Sequence, residues 1–240
     1  MNIYKINTPE ELITGNSYVG RGIVIGKTPD AKKAVFAYFI MGRSANSRNR
    51  IFSEKENGEV IIYPHDYSKV EDPSLIIYSP VKCHKNSVIV TNGDQTDTIY
   101  NFLCQGKSFE DALKTRAFEP DYPNLTPRIS GIMDFAGGDF TYKMSILKSA
   151  DPEGTACNRY TYSYNALAGL GHFIHTYICD GNPIPTFCGE PERMAISNDI
   201  DEFADRIWNA LDEQNKISMY VRYIDLETGA VENRMVNKNK

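Results

Sequence analysis

The chain has one tryptophan among its 240 residues, no apolar run longer than eight, no CxxC pair and no excess of positive charge. Each shortage excludes something. The longest apolar run, residues 34–41, falls far short of the roughly 20 needed for a bilayer-spanning helix, so no membrane partner is expected. The cysteines (Cys83, Cys104, Cys157, Cys179 and Cys188) are odd in number and widely scattered. The N-terminus carries two adjacent acids and no apolar core of signal-peptide length, so these read as reduced, buried or half-buried thiols of a cytoplasmic protein. A net charge of −5, from 26 Lys and Arg against 31 Asp and Glu, argues against a nucleic-acid polymer as partner. Such binding needs an excess of cations to displace counterions from phosphates. Chemical motifs are missing too: there is no GxxxxGK[ST], no GxGxxG opening a helix, no GxSxG and no HExxH. Gly20, Gly22 and Gly26 fall within a strand pattern, His65 and His84 stand alone, and His172 and His175 would face opposite sides of a strand. Neither ATP, a redox cofactor nor a metal is indicated.

What is present reads as one ordinary globular domain over residues 1–240, 41% hydrophobic and 24% charged, with no repeat and no linker. Short runs rich in Val, Ile, Tyr and Phe predict strands at 18–26, 34–41, 59–63, 75–78, 87–91, 128–135, 140–147, 159–164, 172–178 and 217–225. AGGD (136–139) and LETGA (226–230) read as hairpin turns. Helices are expected at 97–105, from Ser108 onward with Asp111 in a capping box, and at 198–213. In the last, Ile200, Phe203, Ala204, Ile207, Trp208 and Leu211 share one face. Runs of strands with helices outside indicate an α+β class of mainly antiparallel sheets rather than βαβ alternation.

Three polar stretches could carry chemistry. Residues 21–50 hold seven Arg and Lys against one acid, a local +6 that leaves −11 over the other 210. Within them GRSANSRNR (42–50) gathers Arg43, Ser44, Arg48, Asn49 and Arg50 at a strand end. Guanidinium groups among hydroxyls and amides suit a phosphate or a carboxamide, although a loop tied down by surface ion pairs would look the same. TNGDQTD (91–97) offers Asn92, Gly93 and Asp94 ahead of a helix, fit for an anion or for a plain turn and cap. In FEPDYPNLTPRI (118–129) prolines stiffen a loop bearing Glu119, Asp121, Tyr122 and Arg128, candidates for positioned acid–base work.

The blocks YVGRGIVIGKTPDAKKAVFAYFIMGRSANSRNR, VTNGDQTDTIYNFL and NLTPRISGI resemble, in order, those of the archaeal-type inosine monophosphate (IMP) cyclohydrolase family. They run from Tyr18 to about residue 132; further on, GHFIHTYICDGNPIP and PTFCGEPE are similar to a longer, bacterial-style branch. The resemblance implies a four-layer αββα sandwich similar to N-terminal nucleophile hydrolases. It also implies a cofactor-free closure of the purine ring of 5-formamidoimidazole-4-carboxamide ribonucleotide to IMP, a small-molecule nucleotide substrate and a homo-oligomer. Residues 1–17 stand as an extension, without a Ser, Thr or Cys placed to be freed as an N-terminal nucleophile. The arginine loop is two residues longer than the family's, so Arg48 and Arg50 compete for its last arginine, and adjacency to Asn49 selects Arg50. On this reading Arg50 or Asn92 polarises the formyl oxygen, and Glu119, Asp121, Tyr78 and Tyr122 supply acid and base. Arg21, Arg43, Ser44 and Arg128 grip the phosphate, with Arg48, Asn49, Gly93 and Asp94 beside them. The alternative is a non-catalytic purine-nucleotide-binding protein that keeps the pocket. An amide hydrolase using Cys83 or Cys104 is disfavoured, since neither has an evident basic partner in the sequence.

Overall fold

The computed structural model describes residues 2–70 and 77–239. Its strands are β1 (Arg21–Lys27), β2 (Lys33–Met41), β3 (Ile51–Glu54), β4 (Val60–Tyr63), β5 (Val81–His84), β6 (Ser87–Thr91), β7 (Arg128–Ala136), β8 (Asp139–Ser149), β9 (Cys157–Asn165), β10 (Leu170–His175), β11 (Glu192–Ala195), β12 (Lys216–Asp225) and β13 (Val231–Asn237). The helices are α1 (Pro9–Ile13), α2 (Ala45–Arg48), α3 (Gln95–Cys104), α4 (Phe109–Lys114) and α5 (Ile200–Ala210). Of the strand expected at 75–78, residues 75 and 76 lie outside the described residues, and Tyr78 meets β4 through one backbone bond, from the Ile62 amide (3.0 Å).

Two antiparallel sheets stack face to face, one ordered β11-β10-β1-β2-β12-β13 and the other β3-β4-β5-β6-β7-β8-β9. The period-2 geometry of a strand explains why β1 and β2 read as unbroken apolar runs. Ile23, Ile25, Phe36, Tyr38 and Ile40 point between the sheets, against Phe52, Val90, Ile129 and Met144. Val24, Val35, Ala37 and Phe39 point the other way, against Phe203 and Ile207 of α5 and Ile13 of α1. On the far side Ile89, Ile132 and Leu147 meet Ile99 of α3 and Phe109, Ala112 and Leu113 of α4. The layers are therefore α, β, β, α. Each such fully buried Ile, Leu or Phe contributes roughly 1.5–3 kcal/mol.

Local signals hold where they are strong. Ser108 and Asp111 form the expected capping box of α4, and Asp199 caps α5 through the amides of Asp201 and Glu202. Gly137 and Gly138, with φ of 60° and 75°, make the tight β7–β8 turn that only left-handed residues allow. His172 faces the inter-sheet layer beside Tyr142, whereas His175 lies on the opposite face with Phe173, as a strand requires. The cysteines depart from expectation: all five are free, but Cys83, Cys104, Cys179 and Cys188 are exposed rather than buried. Residues 2–17 are woven in: Ile13 is fully buried and Asn7 bridges Met194 of β11. Among the described residues no helix is long and apolar enough to cross a membrane.

Candidate active site

One end of the sandwich collects the starts of β1, β3 and β7 and the ends of β2, β6 and β10. Arg21 opens β1, Arg50 immediately precedes β3, Tyr78 lies just before β5, Arg128 opens β7, and Glu119 sits in the loop between α4 and β7. Register then does the assembling. Arg21 lies opposite Ile40 and Ile23 opposite Tyr38, so Arg21 and Tyr38 share the inner face. The Tyr38 hydroxyl meets the Tyr78 hydroxyl at 3.1 Å, and the Tyr38 ring stacks on Phe52 of the other sheet.

The electrostatics are unbalanced. The Nε atoms of Arg21, Arg50 and Arg128 are all shut off from solvent without a hydrogen-bond partner among the described residues. Arg50 is pushed below its ordinary value by burial first and by the like charge of Arg21 second, which leaves it a cation still. For Arg21, burial works against the charge, but the facing Tyr18, Tyr78 and Glu119 more than offset it. Burial raises Glu119 above the usual carboxylate range, and the Arg21 and Arg128 guanidiniums only partly oppose this. Its Oε1 lies 3.9 Å from Arg128 Nη1, too far for a hydrogen bond. Burial also raises both Tyr78 and Tyr38, so each phenol keeps its proton near neutrality. Arg21 and Arg50 lie side by side with one loosely held carboxylate, Glu119, while Arg128 is already paired with Asp94, so the Arg21–Arg50 part of the site is short of negative charge. A bound anion would supply it.

Of the residues expected from sequence, Arg21, Arg50, Tyr78, Glu119 and Arg128 come together here. Asp94 and Gly93 support the cluster. Asp94 accepts from Arg116 and Arg128, each at 2.6 Å, and Arg128 also reaches Gln95 Oε1 at 2.8 Å. A Cβ on Gly93 would stand 2.6 Å from Arg128 Nη1 and 3.4 Å from Glu119 Oε1, so glycine gives these two side chains their room.

The other expectations need correcting. Asn92 is 2% exposed, and its amide is committed inside the protein. Its Nδ2 donates to the Pro127 carbonyl (2.8 Å), and its Oδ1 accepts from the Ile129 amide and Gln95 Nε2 (each 2.9 Å). It fastens the start of α3 to the start of β7 and is not placed to polarise a substrate. Asp121 closes its own loop, accepting from the Thr126 amide (2.6 Å) and hydroxyl (2.5 Å). The Tyr122 ring is 74% exposed and turned to solvent. Arg43 pairs with Asp180 and lies over the Tyr18 ring, and Ser44 caps the single turn of α2. Arg48 donates to the Gly42 carbonyl and to Asn215, while Asn49 exchanges two 2.7 Å bonds with the Asp66 backbone. Arg48 braces the loop, whereas Arg50 enters the cluster.

Tyr38 was hidden among core residues. Its hydroxyl is the only polar side-chain atom in the run 34–41, and a buried phenol in an apolar strand needs a partner, a signal that points to it. Tyr177 was missed as well; its hydroxyl joins Thr126 Oγ1 at 2.5 Å, and its ring stacks on Tyr18. The cysteines do have basic neighbours after all: Cys104 Sγ lies 3.4 Å from His84 Nδ1, and Cys83 Sγ 3.8 Å from Arg222 Nη1. Cys104 ends α3, however, and neither thiol adjoins the arginine cluster.

A model of the IMP cyclohydrolase-like protein family matches residues 18–229. The chain belongs to that family. An IMP cyclohydrolase of Methanococcus aeolicus is 32% identical over 173 residues, 68% of this chain and 75% of that protein. Those of Methanocaldococcus jannaschii and Methanopyrus kandleri are 34% and 33% identical over 120 residues, 49% of this chain in each case. The match spans a little over half the length of these two relatives, 57% and 59%. The family match takes in all of Arg21, Tyr38, Arg50, Tyr78, Glu119 and Arg128.

Proposed function

We propose that this family member is an IMP cyclohydrolase that closes the purine ring of 5-formamidoimidazole-4-carboxamide ribonucleotide, releasing IMP and water, the last step of de novo purine synthesis. The observation that carries the reading is the cluster of Arg21, Arg50 and Arg128, each with a buried Nε that has no partner among the described residues, around Glu119 and two protonated phenols, with Arg128 alone paired to a second carboxylate, Asp94. That set matches a substrate with a phosphate at one end and a carbonyl to be polarised at the other.

Ring closure joins a carboxamide nitrogen, a poor nucleophile, to a formyl carbon, a poor electrophile. Holding the two groups in contact is the first contribution, worth several kcal/mol on the order of known proximity effects. Arg21 and Arg128 anchor the anionic end. Arg50, beside Tyr78, stabilises the oxyanion as the carbon–nitrogen bond forms. Glu119 as carboxylate accepts one carboxamide proton, and Tyr78 donates to the oxyanion to give a carbinolamine. The hydroxyl then leaves as water with the proton from Glu119, while the formamide N–H returns a proton to Tyr78 and the C=N bond forms. A carboxylate raised above its ordinary value suits both halves of this exchange. The protein works as a single domain in the cytoplasm and as a homo-oligomer, the last checked by light scattering after gel filtration.

The test is turnover of the formylated ribonucleotide by purified protein, followed by the absorbance of IMP. Product formed with the added enzyme is the expected result. Folded protein that binds IMP in calorimetry yet never turns over would reduce the reading to a nucleotide-binding protein.

A further inference from the structure

A second polar cleft lies at the open edge of the sandwich, between β9 of one sheet and β10 and β11 of the other, with residues 2–7 along one side. It encloses about 800 Å³. His172 and Arg193 are direct cross-strand partners there, both facing the inter-sheet space. The His172 ring stacks on Tyr164 with centroids 3.7 Å apart, and its Nδ1 meets the Tyr142 hydroxyl at 2.7 Å. Burial, with Arg193 adding to it, holds His172 down at about 4, so it is neutral. Two groups are left over: Arg193 Nε and the Tyr164 hydroxyl are shut off from solvent, and neither has a hydrogen-bond partner among the described residues. Of the two acids lining the cleft, Glu192 faces His175 Nε2 at 3.2 Å, and Glu190 is exposed.

We propose that this cleft is a second ligand site, taking a small organic phosphate or carboxylate on Arg193 and the Tyr164 hydroxyl. Arg193 is half-buried, and its Nε, shut off from water, has no hydrogen-bond partner among the described residues; an anionic oxygen would satisfy it with a charge-assisted bond. The Tyr164 hydroxyl adds a second donor to the same oxygen group. The stacked Tyr164 and His172 rings form a stiff wall for the ligand's body, and Glu190 can accept from a ligand hydroxyl. The site is separate from the arginine cluster. Arg21 and His172 both face between the sheets, but His172 pairs with Ile25, four residues further along β1, and the fully buried Ile23 and Ile174 fill the space between. The inference does not depend on ring closure.

Calorimetry on the whole protein with inorganic phosphate, benzoate and AMP tests it and separates the sources of the anion. We expect at least one of the three to bind wild type and the Arg50→Ala variant alike, and to bind Arg193→Gln about tenfold or more weakly. Tyr164→Phe, which deletes one oxygen and keeps the ring stack, should weaken the same binding about threefold or more and guards against a misfolded Arg193 variant. Turnover by Tyr164→Phe should stay at the wild-type rate. No binding by any probe, or binding lost in Arg50→Ala but kept in both cleft variants, overturns the proposal.

Discussion

Arg50 and Arg21 set two positive charges against each other in a wall of phenols, with no carboxylate among the described residues hydrogen-bonded to either. A side chain with no hydrogen-bond partner among the described residues has little folding work to lose there, so its removal separates chemistry from stability. Arg50→Ala is expected to lower kcat/KM about a hundredfold or more, the cost of removing an oxyanion donor, while its melting temperature stays within a degree or two or rises. Equal activity in a folded Arg50→Ala variant would place the polarising charge elsewhere. Glu119 makes the complementary case. As the base for the first proton transfer it must be ionised, and its value lies above the ordinary 4.5 because burial penalises the charge. Activity should therefore fall as pH drops through that raised value, and the Glu119→Gln variant should lose most turnover and with it the acid limb. A pH–rate profile that keeps its acid limb in Glu119→Gln would assign that limb to another group.

Elements decide whether these residues meet. The turn between β6 and α3 is one such place: Thr91 Oγ1 accepts from the Gly93 amide at 3.2 Å, and Asn92 ties the turn to β7. Gly93 lies outside the left-handed region, so its need is for space and not for backbone freedom. Gly93→Ala should displace Arg128, since the new methyl would lie 2.6 Å from Nη1. Arg128 is held by Asp94 and Gln95 and cannot simply swing aside. The expected outcome is a rise in KM of about tenfold, with kcat changed less and unfolding affected by under about 1 kcal/mol; a KM that does not move would show that Arg128 has slack. Element-level signals in the sequence were uneven for a physical reason. Long strands buried on both faces, such as β1 and β2, announce themselves by composition. The short β3, β5 and β11 and the polar β13 (VENRMVN) are strands because a neighbour offers a ladder, and their own residues carry no such period.

At the scale of the molecule, the N-terminal segment is joined to the helix over the first sheet by Glu10, which pairs bidentately with Arg206 at 2.8 Å. The Arg206 hydrogen bonds lower Glu10 from the ordinary 4.5 to about 2. A depressed carboxylate stabilises the fold above its unfolded value and loses that contribution as pH falls, here between about 4.5 and about 2. Because Glu10 is 44% exposed, water screens the pair and its worth is about 1 kcal/mol or less. Glu10→Gln should bring the acid-unfolding profile closer to flat across that window, with a slightly lower melting temperature at pH 7; identical profiles for the two proteins would leave α1 held by Ile13 alone.

The pattern of apolar runs determined the two-sheet core and its outer helices, because alternation and helical periodicity are local properties that any chain of this composition must bury. The local +6 of residues 21–50 likewise marked out a candidate anion site within an acidic chain. Which arginine enters that site was beyond the sequence. Arg48 and Arg50 are two residues apart in the same loop, and only the packing of Asn215 and Gly42 around one of them frees the other. A net charge of −5 and a local +6 are thus compatible, because Lys27, Lys33 and Arg43 are paired in space with acids from outside that stretch. Charge is counted along the chain, but an unpaired charge exists only once every other group has found its partner in space.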